Sequence, residues 1–154
     1  MTIKRVKIIT DNPDYLPKLA TEGSCGYDLH ATDIEVDQHH RVVKYSTGVK
    51  IQLPAGYAGL LLPRSSIYKQ GGWVMANSIG LIDVDYTGEI KAVFRPTFDD
   101  WTSDDMPYEL GDRICQLMIV PYTKVEWEAV TEFPKKTARG EGGFGSTGRG
   151  KKKK

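Results

Sequence analysis

Cysteine is scarce in this sequence, and the only two, Cys25 and Cys115, lie far apart. Neither has a partner at the spacing of a zinc site or a disulfide framework, so both are expected to be reduced and half-buried. No apolar run approaches the roughly 20 residues of a membrane span, and residues 1–14 become charged too soon for a signal peptide. These absences predict a soluble, cytoplasmic protein that is not exported and does not enter a membrane.

Histidine is also scarce, and His30, His39 and His40 lack the spacing of metal ligands, so all three are expected at the surface. Excess charge is missing too, because the formal net charge is +1. A chain this close to neutral is unlike a general nucleic-acid binder. A nucleic-acid or protein partner stays open as a secondary role, through either of two features. One is the lysine run from Lys151 to Lys154, and the other is the acidic stretch 95–112, which is expected to be a long surface loop.

Long amphipathic helices are missing as well, and apolar residues instead recur at a period of two, which indicates strands. Three such stretches are Val49, Ile51 and Leu53; Ile90, Ala92 and Phe94; and Val125, Trp127 and Ala129. Turn residues separate the apolar stretches at the spacing of an all-β sandwich or barrel. At 154 residues the chain is long enough for one domain with a single core. The predicted fold class is therefore all-β.

The stretch "PRSSI", residues 63–67, opens the one segment with a helical pattern, "SSIYKQ", which Ser65 or Ser66 would cap. Arg64 beside two hydroxyls at the start of a helix can bind an anion, because hydroxyls, backbone N–H groups and a guanidinium converge there. The alternative is an ordinary helix cap with a surface arginine, and the local pattern alone favours that alternative.

Two carboxylates stand close together in "ANSIGLIDVDYTGEI", residues 76–90. Asp83 and Asp85 fall on one face of any regular strand, and Tyr86 follows them. Either aspartate could act as a general base, or both could be solvated turn residues. Nothing in the stretch chooses between them.

Polar residues also interrupt two apolar segments. "GDRICQLMIV" begins with a turn and enters a strongly apolar strand, which leaves Arg113 and Gln116 available for chemistry. In "CGYDLHA", Asp28 and His30 alternate with apolar residues, which predicts a half-buried strand with one polar face.

In order along the chain, five stretches closely resemble the five sequence motifs of the trimeric dUTP diphosphatases, the dUTPases. They are "CGYDLHA", "PRSSI", "ANSIGLIDVDYTGEI", "GDRICQL" and "RGEGGFGSTG", and together they run from residue 25 to residue 148. The third and the fifth are the most specific. Departures are few: Cys25 stands where the family usually has alanine, residues 95–110 are longer than in the compact form, and four lysines follow the last motif.

The resemblance implies a jelly-roll-like subunit of the dUTPase fold, a β-clip, with one short helix. Residues 1–134 would form the β-barrel domain, and residues 135–154 a flexible, glycine-rich arm that closes over a neighbouring subunit's active site in a homotrimer. The implied reaction is hydrolysis of dUTP to dUMP and diphosphate, which limits uracil incorporation into DNA and supplies dUMP for dTTP synthesis. A dCTP deaminase shares the fold and a "PRSS"-like stretch, but it resembles this chain less in "IDVDYTGE" and lacks the "GGFGSTG" pattern.

The same resemblance implies roles for individual residues. Asp83 is the implied general base, which deprotonates a water for in-line attack on the α-phosphorus. Mg²⁺ is the implied cofactor, held mainly by the triphosphate, with Asp28 acting through a metal-bound water. The implied phosphate-binding residues are Arg64, Ser65, Ser66, Gln116, Arg139, Ser146 and Thr147. The implied residues around uracil and deoxyribose are Asn77, Gly80, Ile82, Asp83, Tyr86 and Phe144.

Overall fold

The computed structural model of the chain describes residues 5–135 and 137–143. Ten strands and three short 3-10 helices make up the regular structure of those residues, which confirms the all-β prediction. In chain order the strands are β1 (Lys7–Thr10), β2 (Lys18–Leu19), β3 (Tyr27–His30), β4 (Asp33–Asp37), β5 (Val42–Gln52), β6 (Tyr57–Pro63), β7 (Trp73–Met75), β8 (Gly80–Ile82), β9 (Glu89–Pro96) and β10 (Arg113–Pro121). The 3-10 helices are Pro13–Tyr15, Ser65–Lys69 and Ser103–Asp105.

The strands form two antiparallel sheets. The first has the order β1-β5-β9-β7, and β4 also pairs with β5. The long strand β5 holds both β1 and β4 on one edge, because β4 pairs with residues 42–46 and β1 with residues 49–52. The second sheet has the order β2-β3-β10-β6-β8, with β10 lying between β3 and β6. Of the residues predicted to bind phosphate, Gln116 lies on β10 of this sheet, and Arg64, Ser65 and Ser66 directly follow β6.

One continuous core joins the two sheets. Two of the three alternating stretches point inward as predicted, and their buried residues are Val49, Ile51, Leu53, Ile90, Ala92 and Phe94. Leu29, Ile114 and Leu117 reach the same core from the second sheet. Each fully buried side chain of this size stabilises the fold by about 1.5–3 kcal/mol relative to an exposed one. The sheets are therefore held together by apolar packing between them.

The third alternating stretch does not form the predicted strand. Residues 122–130 are irregular, and the chain divides at Lys124, with the described residues from Val125 onward forming a second unit. Trp127 is 93% exposed. Period-two alternation shows only that one face of a segment is apolar, and a strand also needs a partner. Among the described residues, no strand pairs with this segment.

The prediction of a plain surface loop over residues 95–112 is wrong in part. Strand β9 continues to Pro96, and two aromatic residues beyond it, Trp101 and Tyr108, are buried in the core. The Tyr45 hydroxyl donates to the Tyr108 carbonyl oxygen at 3.0 Å, and the Tyr108 N–H donates back to that hydroxyl at 3.3 Å. Burial raises the pKa of Tyr108 to about 12. The acidic residues are therefore carried on a segment that is anchored at two points.

The predicted short helix is present as the 3-10 helix Ser65–Lys69, one of three such helices among the described residues, but its predicted cap is absent. Arg64 occupies the N-cap position, and no side chain accepts a capping hydrogen bond there. Neither serine hydroxyl is thus used in capping, which leaves both free to meet a ligand. No helix within the described residues is long and apolar enough to cross a membrane.

The cysteines and one histidine differ from expectation. Both cysteines are free, but Cys25 is exposed and Cys115 is fully buried, rather than half-buried. Burial, with Asp28 nearby, raises the pKa of the Cys115 thiol well above its usual range. His30 is half-buried rather than exposed, and its ring stacks on Tyr15 with centroids 4.9 Å apart. Burial lowers its pKa despite the opposing Asp28 carboxylate.

Candidate active site

A buried carboxylate lies at the centre of one group of polar side chains. Asp28 on β3 is only 4% exposed, although the alternation placed it on a polar face. Its register partner on β10 is Gln116, whose Nε2 donates to Asp28 Oδ1 at 3.3 Å. The Arg113 guanidinium donates to Oδ2 at 3.1 Å, and Arg64 Nε lies 3.5 Å from Oδ1. We call these four residues the Asp28 cluster.

The Asp28 cluster carries more positive than negative charge. Two guanidinium groups face one carboxylate, so one positive charge is left over, and the side chains of Arg64 and Arg113 are 25% and 48% exposed. Each guanidinium has five N–H donors, of which Asp28 and one backbone carbonyl use only a few. The remaining donors can bind an anion that arrives from solvent.

Gly26, the residue just before β3, packs closely against Gln116 of β10. A methyl group placed on Gly26 would lie 3.1 Å from Gln116 Cβ, so a larger residue at position 26 would push the amide side chain away. Next to the cluster, the 3-10 helix that follows Arg64 begins with Ser65, which is exposed, and Ser66, which is partly exposed. The structure thus brings together four of the predicted phosphate-binding residues and adds Arg113.

Arg113 is the residue that the motif assignment missed. The sequence marked it as available but assigned it no role. Its side chain contacts a carboxylate that lies 85 positions earlier in the chain, and this contact follows from the pairing of β10 with β3. Only a correct strand pairing could have predicted that contact.

A separate pocket of about 310 Å³ lies between β8 and β9. Its lining residues are Leu81, Ile82, Asp83, Tyr86, Glu89, Ile90 and Lys91. Asp83 and Tyr86 occupy the two ends of a turn, in which the Tyr86 N–H donates to the Asp83 carbonyl oxygen at 3.2 Å. Asp83 therefore faces the pocket, whereas Asp85 is not among its lining residues. The pocket thus distinguishes two aspartates between which the local sequence pattern could not choose.

The hairpin that leads into this pocket is tightly built. Ser78 has a positive φ of 60°, and the Ile79 N–H donates to the Asn77 carbonyl oxygen at 2.6 Å. Gly80 lies against β6, where an added methyl group would come within 3.0 Å of Leu61 Cβ. Of the residues predicted to read the base, Ile82 lines the pocket, while Asn77 and Gly80 lie in the adjoining hairpin.

One chain does not bring the pocket and the Asp28 cluster together. Strands β6 and β8 are antiparallel, with Ile82 paired with Gly59 and Gly80 with Leu61. Continuing this register by one residue places Asp83 opposite Ala58. Arg64 comes directly after the other end of β6. The six positions from Ala58 to Arg64 correspond to roughly 20 Å of strand. The predicted base and the predicted phosphate-binding arginine therefore lie near opposite ends of the same strand.

Several predicted residues fall in the C-terminal part of the chain. Phe144, Ser146 and Thr147 lie outside the described residues, as do the four lysines. Arg139 is described, and its Nε donates to the Gly142 carbonyl oxygen at 2.7 Å within the second unit.

The described residues offer few donors to a divalent cation, which prefers several oxygen ligands. Within residues 5–135 and 137–143, no three His, Cys, Asp or Glu side chains group closely enough to hold a metal ion. Asp28 Oδ2 accepts one hydrogen bond and keeps a lone pair. This arrangement fits Mg²⁺ that a ligand brings with it, and it does not fit a protein cage.

Comparisons with known proteins agree with these observations. A family model described as dUTPase matches residues 13–148. The chain is 42% identical over 141 residues to a deoxyuridine 5'-triphosphate nucleotidohydrolase of Burkholderia cenocepacia, covering 88% of this chain and 90% of that protein. It is 34% identical over 150 residues to the deoxyuridine 5'-triphosphate nucleotidohydrolase of Escherichia phage T5, covering 93% of this chain and 98% of that protein. A solved structure of the Staphylococcus bacteriophage 80alpha dUTPase with dUPNHPP matches with a TM-score of 0.73 and 25% identity, covering 95% of this chain and 99% of that one.

Proposed function

The chain belongs to the dUTPase family and hydrolyses dUTP, and we propose that it does so by attack of a water molecule on the α-phosphorus. Hydrolysis at that position gives dUMP and diphosphate, and it limits uracil incorporation into DNA while supplying dUMP for dTTP synthesis. The observation that carries the proposal is the pocket beside β8, where Asp83 and Tyr86 share one wall. The alternative of a dCTP deaminase is not favoured by the family match.

Asp83 is the proposed general base. Its exposed carboxylate on the pocket wall can accept a proton from a water molecule as the water oxygen bonds to the α-phosphorus. The bond from that phosphorus to the bridging oxygen breaks, and diphosphate leaves with the electron pair. Help of this kind contributes about 10² to 10⁴ in rate.

The Asp28 cluster is the proposed phosphate site, together with the hydroxyls of Ser65 and Ser66. Its spare guanidinium donors and the Gln116 amide can pair with phosphate oxygens, and Asp28 keeps both arginines in place. Mg²⁺ is the proposed cofactor, and when bound it supplies charge neutralisation on the phosphates. Asp28 would hold it indirectly, through a water molecule.

Recognition of the nucleoside is proposed for the pocket and its hairpin. Tyr86 would pack under the deoxyribose, where a ribose 2'-hydroxyl would lose water without gaining a partner, at a cost of about 1–3 kcal/mol. Asn77, Gly80 and Ile82 would read uracil mainly through backbone groups, which cannot match the donors and acceptors of cytosine.

A homotrimer with shared active sites is the proposed assembly. Two observations support it: the base and Arg64 are roughly 20 Å apart along β6 of one chain, and the second unit leaves large apolar side chains exposed. Trp127 is 93% exposed and Phe133 is 84% exposed. Residues 135–154 would then form an arm that closes over a neighbouring site, with Phe144 over the uracil and with Arg139, Ser146 and Thr147 near the γ-phosphate.

Hydrolysis of dUTP in ¹⁸O-labelled water tests the proposal directly. Attack at the α-phosphorus places the label in dUMP, whereas label in diphosphate would contradict the proposed mechanism. Parallel reactions with EDTA test the role of Mg²⁺. If Mg²⁺ is the cofactor, EDTA should abolish turnover, and added Mg²⁺ should restore it. The same preparation incubated with dCTP should release no ammonia.

A further inference from the structure

The ring of Tyr86 rests directly on the backbone of Gly88. A methyl group added to Gly88 would lie 2.7 Å from both Cζ and Oη of Tyr86 and 3.0 Å from Cε2. Real Cβ atoms do not approach other atoms so closely, so any side chain at position 88 would displace the ring. Gly88 is not among the glycines with a positive φ. The ring, rather than the backbone conformation, is therefore what requires glycine at this position.

Glu89, the residue after Gly88, holds the hydroxyl end of the Tyr86 ring. Tyr86 Oη donates to the Glu89 carbonyl oxygen at 2.7 Å. Glu89 is the first residue of β9, so the position of the ring depends on how firmly the start of that strand is fixed.

The Glu89 side chain fixes the start of β9 against a bulge in β5. The register between the two strands shifts between Ser46 and Lys50, and Gly48 within the shift has a positive φ of 64°. Glu89 Oε1 accepts a hydrogen bond from the Gly48 N–H at 2.8 Å, and Oε2 lies 3.7 Å from Lys91 Nζ. Regular strand pairing is interrupted at this bulge, so the Gly48 N–H has no backbone carbonyl opposite it in the ladder. The Glu89 carboxylate accepts its hydrogen bond instead, and the negative charge strengthens that bond.

From these contacts we propose that Gly88 and Glu89 position Tyr86 and thereby determine the selectivity for deoxyribose over ribose. The inference rests on the proposed function, in which Tyr86 packs under the sugar. Gly88 lets the ring lie flat against the backbone, and Glu89 holds its hydroxyl end in place. A ring fixed at both places fits a sugar without a 2'-hydroxyl, whereas a displaced or loosened ring fits deoxyribose and ribose more equally.

The test compares kcat and KM for dUTP and UTP in the full-length protein. Gly88→Ala is expected to raise KM for dUTP more than it lowers kcat, because it moves a binding surface and leaves the proposed base in place. Glu89→Ala is expected to lower the dUTP-to-UTP ratio of kcat/KM about tenfold. Glu89→Gln should restore most of that ratio, because an amide oxygen still accepts from Gly48. Glu35→Ala, which removes an exposed ion pair with Lys44, is the matched control.

The reference variant is Tyr86→Ala, which removes the ring. If wild type hydrolyses dUTP selectively and Tyr86→Ala loses selectivity, the proposed role of the ring holds. If folded Gly88→Ala and Glu89→Ala then keep the wild-type dUTP-to-UTP ratio of kcat/KM, the positioning role of Gly88 and Glu89 is overturned, while the proposed sugar site stands. A Tyr86→Ala variant that keeps full selectivity would instead reject the proposed sugar site. If circular dichroism shows that Gly88→Ala does not fold, the positioning role is tested by Glu89 instead. A dUTP-to-UTP ratio that falls in Glu89→Ala and recovers in Glu89→Gln supports the role, and equal ratios in the two variants overturn it.

Discussion

Mixing two inactive subunits tests whether the active site is shared between chains. Asp83→Asn removes the proposed base, and Arg64→Ala removes a proposed phosphate ligand. Each variant alone is expected to lose at least about 100-fold in kcat. Because roughly 20 Å of β6 separates the two positions in one chain, the proposed site takes its base from one subunit and its arginine from another.

The expected recovery follows from simple counting. In trimers assembled at random from equal amounts of the two variants, the subunit that supplies the base carries an intact Asp83 in half of the sites. The subunit that supplies the arginine carries an intact Arg64 in half of the sites, independently. About one quarter of the sites are therefore complete, and the mixture should recover about 25% of the wild-type kcat. A site built within one chain would recover nothing.

The measurement is dUTP hydrolysis after the two variants are unfolded and refolded together. Native mass spectrometry must show mixed trimers, and each variant refolded alone gives the background. A second mixture provides a matched control: wild type with the double variant Asp83→Asn/Arg64→Ala should give about one quarter of full activity for shared sites and about one half for unshared sites. Mixed trimers with background activity in the first mixture would refute the shared site.

Other predictions follow from individual contacts. Tyr45→Phe leaves the buried N–H and carbonyl of Tyr108 without their partner, and it should cost about 2 kcal/mol, or roughly 4–8 °C in Tm by calorimetry; an unchanged Tm would mean that water replaces the hydroxyl. Hydrogen bonds from the backbone and side chain of His40 hold the pKa of Asp37 well below its usual range, so Asp37 stabilises the fold above the ordinary pKa of about 4. The Tm difference between wild type and Asp37→Asn should therefore be present at pH 7 and shrink as the pH falls below about 4; a difference that grows in acid would reverse the assignment. Truncation after Pro134 should leave the assembly intact by light scattering and lower kcat severely, and full turnover would reject the arm as part of the site.

The fold could be predicted where local pattern and burial coincide. Val49, Ile51 and Leu53 alternate with polar residues and are buried, because the same chain supplies the strands beside β5 and the second sheet that packs against it. The stretch around Trp127 has the same period and the opposite outcome. Periodicity reports which face of a segment is apolar, and it carries no information on whether the same chain supplies the covering partner. The strand predicted at Trp127 is therefore absent because no described strand pairs with the segment, although its apolar alternation is real.

The motifs named residues that the structure brings together around Asp28, but local chemistry did not predict that grouping. Asp28 reads as one polar residue on a half-buried strand, yet it is buried and surrounded by arginines from two distant segments. In the same way, the acidic composition of residues 95–112 concealed Trp101 and Tyr108 as core residues. Both errors have one cause: burial is decided by contacts between distant segments, which composition does not encode.

The position of β10 in the second sheet also sets an order of events during synthesis. All strands of the first sheet have left the ribosome once Pro96 has emerged, so that sheet can form early. The second sheet cannot, because among the described strands β10 is the one that joins β3 to β6, and it ends at Pro121. Asp28 and Arg64 are thus synthesised before Arg113 and Gln116, and the Asp28 cluster cannot be complete until β10 has been synthesised. A nascent chain that stalls before β10 can therefore complete the first sheet but not the Asp28 cluster, which is the proposed phosphate site.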